Sequence, residues 1–292
     1  MNQQNPDKPQ ILIEGLEPPE IEPRGYLHKL KLDFDPESQL REIHKLLKRN
    51  EEADQTLDLE TKESEQQLKT LQEDETAEYQ RLDMAEATVI DHYHEATYQG
   101  IAHSMAAVGM LAPFMETIFN QCFQNLGEKY PREQFEYPKH DRWQKIGKDF
   151  WDCRIKFIFP VQNQSTGGQQ QAGKIQQKNA VLKGVEELAE ATGLIAYLPA
   201  DYLKVFSALK SYRDSMFHNG MEWPLKERTE FINRLEKNKD SAAWFAKATT
   251  GEEESPWMIF MTEKFIKRCL QLAEEVLDAF GALVKSLEEQ TS

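Results

Sequence analysis

The chain has 292 residues, 39% hydrophobic and 29% charged, and a net charge of −15, enough for one large domain or two ordinary ones with a substantial core. That charge excludes a broad basic surface for duplex nucleic acid, although a single cleft in an acidic protein can still be basic. The three cysteines, Cys122, Cys153 and Cys269, lie far apart without a Cys-x-x-Cys, which excludes a disulfide framework or zinc ribbon and fits reduced thiols in a cytoplasmic protein.

MNQQNPDKPQ lacks a basic start followed by an apolar run and does not read as a signal peptide. Residues 1–36 hold Pro6, Pro9, Pro18, Pro19, Pro23 and Pro36, a density that breaks helices and predicts an extended arm. Within it, ILIEGL at 11–16 can dock as a short strand or apolar anchor. Pro36-Glu37-Ser38 opens a helix. Apolar residues then recur at Leu40, Ile43, Leu47, Leu57, Leu68, Leu71 and Leu82, and no glycine or further proline occurs before Gly100. Residues 51–80 are strongly acidic, with only Lys62 and Lys69 opposing. The prediction for 37–84 is a long acidic helix or helical hairpin with an imperfect heptad seam. Its charged face is a solvated face or, alternatively, a self-association seam.

A second long helix is predicted over 85–126. Its body, from Ile101 to Phe119, is apolar nearly all round but includes His103, Pro113 and Glu116. These residues are costly in lipid, so the stretch reads as a buried helix kinked at Pro113, not a membrane span. His92, His94 and His103 lie on or near it without a Glu-x-x-His motif, and surface or core roles outweigh a metal site. Residues 128–175 are irregular. Lys139, His140, Arg142, Lys145, Lys148, Arg154 and Lys156 interleave there with Trp143, Trp151 and Phe157. That composition suits contact with single-stranded nucleic acid or, more simply, aromatics packing a bundle. The polar run VQNQSTGGQQQAGKIQQ follows as a loop.

Helices return at 179–198, at 201–220 with Asp201 as N-cap, and at 224–238. A last helix is predicted from about Pro256 to Glu288. The expected apolar face of the second of these includes Leu203, Phe206, Leu209 and Phe217. No segment alternates cleanly with period two, and no P-loop or dinucleotide glycine pattern occurs. The chain therefore reads as all-α, an arm (1–36), an acidic helical extension (37–84) and a helical bundle (85–292) with an irregular insertion.

YRDSMFHNGMEWP at 212–224 carries the chemistry. Asn219-Gly220 supplies a helix stop. His218 then lies in the last turn, where the negative end of the helix dipole favours a cation. Asp214 is four residues from His218, on the same face, and its carboxylate can hold and orient the imidazole. Arg213 is about 140° round the helix from His218 at about 100° per residue, but its side chain can swing toward the same cleft. A guanidinium beside an imidazole suits phosphate chemistry, the arginine holding oxygens and the histidine moving protons. Arg213 paired with Glu222 or Asp214, and His218 capping carbonyls, is the plainer reading.

Arg213-Asp214-x-x-x-His218 resembles the Arg-x4–6-His motif of HEPN domains, in which a polar residue follows the arginine. The resemblance covers roughly 178–288, together with helix 85–126. It implies a bundle that dimerises and acts as a metal-independent, cofactor-free endoribonuclease in bacterial toxin or antiviral defence systems. Arg213 and His218 would be the catalytic pair, Asp214 their polar supporter and Asn219 a substrate contact or helix cap. Two copies would form one RNA cleft, leaving a 2′,3′-cyclic phosphate, and an antitoxin or defence component could be a protein partner. Some members carry a tyrosine two residues after the histidine that a nucleotidyltransferase modifies. Gly220 stands there, which places that control in doubt. The alternative is a catalytically inactive scaffold that binds a protein through the acidic helix.

Overall fold

The computed structural model describes residues 22–74, 76, 78–135, 137, 140–144, 148–154, 180–236, 243–248 and 256–291. The chain is all-α. Its α-helices are α1 (Pro36–Glu73), α2 (Tyr79–Lys129), a short α3 (Asp141–Gln144), α4 (Ala180–Thr192), α5 (Tyr202–Asn219), α6 (Leu225–Glu236) and α7 (Glu263–Thr291). Strands β1 (Phe245–Ala248) and β2 (Met258–Met261) pair antiparallel, Phe245 opposite Met261. ILIEGL and the polar loop after Phe159 lie outside the described residues.

Helix α2 is the axis. By length and composition it could cross a membrane, but its apolar residues from Ile101 to Leu126 are packed inside the bundle. Phe119 stacks on Phe123 and Phe206 and meets Phe280 edge-on, with centroids 5.6–6.1 Å apart. Such pairs add about 0.5–1.5 kcal/mol each beyond their burial. Helix α7 supplies the other wall, burying Phe265, Ile266, Cys269, Leu272, Val276, Phe280 and Val284 at spacings of three and four. Pro113 sits inside α2, which runs through it without a break.

Helices α1 and α2 form an antiparallel hairpin. At its base Leu40, Ile43 and Leu47 are buried, as the apolar spacing requires. Farther out, Leu57, Leu68, Leu71 and Leu82 are only half-buried, and polar pairs take over. Asp54 meets the buried His103 at 2.8 Å. Ser64 meets His92 at 2.8 Å, and Glu65 accepts from Tyr93. The outer hairpin is therefore held by hydrogen bonds more than by core.

Four expectations need correction. Part of the arm is ordered: Pro23–Leu30 is a 3-10 helix lying across α7. Gly281 allows that approach, since a Cβ there would fall 2.2 Å from the Pro23 carbonyl. The last helix starts at Glu263, because Met258–Met261 is a strand. Met258, Ile259 and Met261 are all buried, so no alternation betrayed a strand covered on both faces. Asp201 is the N-cap residue of α5 as expected, and its carbonyl accepts from the Val205 N–H at 3.0 Å, but its side chain makes no capping hydrogen bond. Its carboxylate instead receives two bonds from Arg268, at 3.0 and 2.5 Å, which hold its pKa below the usual range. Phe217 is exposed, not part of the buried face of α5.

The basic-aromatic block is an aromatic cluster. Phe135, Trp143 and Trp151 are buried against one another, with Phe150 beside them. Arg142 is fully buried and donates to Glu187 on α4 at 2.7 Å and to the carbonyls of Phe150 and Asp152. Burial pulls its pKa down, and Glu187 opposes that shift. Of the aromatics it was expected to offer to single strands, Trp143 and Trp151 are committed inside, and Phe157 lies outside the described residues. Arg142→Met should leave Glu187 and both carbonyls without their donor, costing about 3–5 kcal/mol. A urea titration against the parent chain measures the loss.

Candidate functional site

Helix α5 ends as its sequence dictates. Gly220 adopts φ +74° and its N–H bonds the Met216 carbonyl at 2.8 Å, the left-handed stop that glycine permits. Trp223 folds back, its indole N–H donating to the Gly220 carbonyl at 3.0 Å. Beneath the turn, Tyr212 is fully buried among Trp223, Phe231 and Phe245. Its hydroxyl donates to the Ile259 carbonyl of β2 at 3.0 Å, and burial raises its pKa well above the usual phenol range.

His218 is exposed in the last turn, with Nδ1 2.6 Å from the Asp214 carbonyl oxygen. A carbonyl only accepts, so Nδ1 carries the hydrogen and the neutral ring presents its Nε2 lone pair outward. The orienting group is thus the backbone of Asp214, not the carboxylate that the spacing suggested. The Asp214 carboxylate lies 4.0 Å from Lys210. Asn219 donates its side-chain N–H to the Ser215 carbonyl at 3.0 Å, the helix-capping half of its expectation.

Arg213 points the other way, toward α2. Its guanidinium donates to Glu116 at 3.0 Å, and Lys210 donates to the same carboxylate oxygen at 2.9 Å. Arg213 is therefore held by neither Glu222 nor Asp214. Glu222 instead accepts from the Tyr98 hydroxyl at 2.8 Å. The geometry brings His218 and Asn219 together at the helix end and leaves Arg213 on a neighbouring face, tethered to a carboxylate. Glu116 was missed as its partner. The available signal was a lone acid in the apolar run 101–119, which demands a cation where it packs.

Among the described residues, no group of three or more His, Cys, Asp or Glu side chains is arranged to hold a metal ion. His92, His94 and His103 are spent on Ser64, Trp257 and Asp54 respectively. All three thiols are buried and unpaired, and burial pushes Cys153 up to about 12, so none is a ready nucleophile. Comparison with protein-family models, with curated proteins and with solved structures finds no match.

His218 makes one exposed hydrogen bond, so His218→Ala should shift the unfolding free energy by less than about 1 kcal/mol. Tyr212→Phe removes the donor to a buried carbonyl and should cost about 1–3 kcal/mol. Urea titrations of the two variants separate a chemical residue from a structural one.

Proposed function

We propose that this chain is a HEPN-like endoribonuclease, metal-independent and homodimeric, acting in the cytoplasm in a bacterial toxin or antiviral defence setting. The observation that carries the reading is the exposed His218, whose ring is fixed with Nδ1–H on the Asp214 carbonyl and whose Nε2 has no partner among the described residues. That tautomer suits a general base. Nε2 would take the proton of an RNA 2′-hydroxyl as its oxygen bonds to the adjacent phosphorus. The bond from phosphorus to the 5′-oxygen breaks, and the leaving oxygen takes a proton from a protonated imidazole supplied by a second copy. The products are a 2′,3′-cyclic phosphate and a free 5′-hydroxyl. Arg213 is the candidate clamp on the phosphate. To serve, it must exchange Glu116 for a phosphate oxygen, a bidentate partner that guanidinium groups favour. Asp214 orients through its backbone, and Asn219 keeps the turn in place.

The tether of Arg213 to Glu116 supports a second reading. In it the bundle is a scaffold, and the acidic α1 of the outer hairpin binds a protein partner. The two readings separate in metal-free RNA cleavage by the parent chain, His218→Ala and Arg213→Ala. The nuclease reading expects cleavage by the parent and a loss of at least about a hundredfold in each variant, the usual scale for a proton-transfer or oxyanion-stabilising group. Equal, negligible cleavage by all three would leave the scaffold reading standing.

A further inference from the structure

The outer hairpin holds most of the chain's excess charge. Residues 51–99 contain 15 acidic and 3 basic side chains, a net −12 of the total −15. On α2 that charge is combined with exposed apolar surface. Leu82, Ala85, Val89, His92 and Ala96 form the face turned to α1, each buried or half-buried. The opposite face carries Met84, Ala87, Ile90, His94 and Tyr98, at spacings of three and four. At about 100° per residue these five fall within about 120° of one another, as a single stripe. All five are exposed, Met84 at 71% and Ile90 at 54%. The stripe ends at Trp257, whose ring meets His94 and Tyr98 edge-on with centroids 6.0 and 5.9 Å away.

The solvent side of a helix is ordinarily polar. Single exposed apolar residues need no explanation, whereas a continuous stripe of them marks a surface that a partner covers. The neighbouring charges say which partner. By the same helix geometry Asp83 and Asp91 sit within the stripe, and Glu86 and Glu95 run along its edges. All four are exposed, and none makes an ion pair among the described residues. No lysine or arginine occurs from Leu82 to Gly100. A second copy of the hairpin would set the same carboxylates against these, a like-charge arrangement that costs energy. A helix with an apolar stripe between lysines or arginines would cover the apolar residues and pair the carboxylates together, as flanking charges do in coiled coils.

From this arrangement we infer that the outward face of α2 is a docking surface for a cationic amphipathic helix of a partner protein. The apolar side of that helix lies on Met84, Ala87 and Ile90, and its lysines or arginines pair with Asp83, Glu86, Asp91 and Glu95. The inference rests on the scaffold reading's use of the outer hairpin, to which it adds a face and a partner class. Calorimetric titration of the full chain tests it with a synthetic helical peptide of leucine and lysine, about five turns long, its leucines at spacings of three and four. A scrambled peptide of the same composition keeps the charge and loses the stripe. One-to-one binding is expected, at least about tenfold tighter than for the scrambled peptide. The double variant Met84→Ser, Ile90→Ser should weaken it by at least about tenfold, through lost apolar burial. Both residues are exposed, so their replacement leaves the fold intact, as helical circular dichroism would verify. Asp83→Asn with Asp91→Asn should also weaken binding and flatten its salt dependence. The assignment is overturned by absence of saturable binding at millimolar peptide, by equal binding of the two peptides, or by unchanged binding in the folded Met84→Ser, Ile90→Ser variant. A dimer in sedimentation equilibrium that dissociates in that variant also overturns it, by giving the face to a second copy. The scaffold reading itself is overturned by RNA cleavage and the docking face by the titration, so the two failures are read separately.

Discussion

The burial of α2 is the constraint on which the remaining structure depends. From Ile101 to Leu126 this helix is too apolar to face water, so it must be enclosed over several turns. The enclosing elements come from every part of the sequence: α1 at its base, α4 and α5 on one flank, α7 on another. The stack of Phe119, Phe123, Phe206 and Phe280 is where α2, α5 and α7 meet. Dense interiors tolerate little change in shape, so the position of α5, and with it the His218 turn, is set by how its inner face fits these rings. The candidate site is a surface feature whose placement is decided in the core.

Helix content was legible because apolar residues at spacings of three and four specify a buried stripe regardless of partners. The base of the hairpin, α5 and most of α7 follow from that pattern, and Gly220 marks a stop that few other residues could make. What the sequence hid has one cause, the dependence of local structure on distant partners. Met258–Met261 is buried on both faces and gives no period of two, so it merged with the helix that follows. Asp201 has the chemistry of a cap, yet the guanidinium of Arg268 outcompetes the backbone for it. The block around Trp143 and Trp151 had the composition of a stacking surface, but these two rings and Arg142 are spent inside. A sequence shows which groups can interact and seldom which partner wins.

The same limit applies at the site. Spacing placed Asp214 and His218 on one face, and they do meet, through the carbonyl instead of the carboxylate. Spacing also put Arg213 about 140° away by helix geometry, and that separation persists because Glu116 rewards it. Lys210 shares that carboxylate, so α5 presents two cations to α2 while its terminus presents an imidazole to solvent. One helix thereby carries a structural face and a chemically available end, and the boundary between them falls within a single turn.

The 3-10 segment across α7 has a consequence for the order in which the chain assembles. Arg24 reaches Glu274 and Asp278, partners about 250 residues away in sequence, and Gly281 leaves the groove in which Pro23 rests. Contacts of such separation form late, since the chain between them must be ordered before closing the loop is favourable. During synthesis α7 emerges after α1 to α6, so the segment waits, undocked, until α7 has followed them. Its docking can cover the α7 groove around Gly281 only after α7 itself has formed.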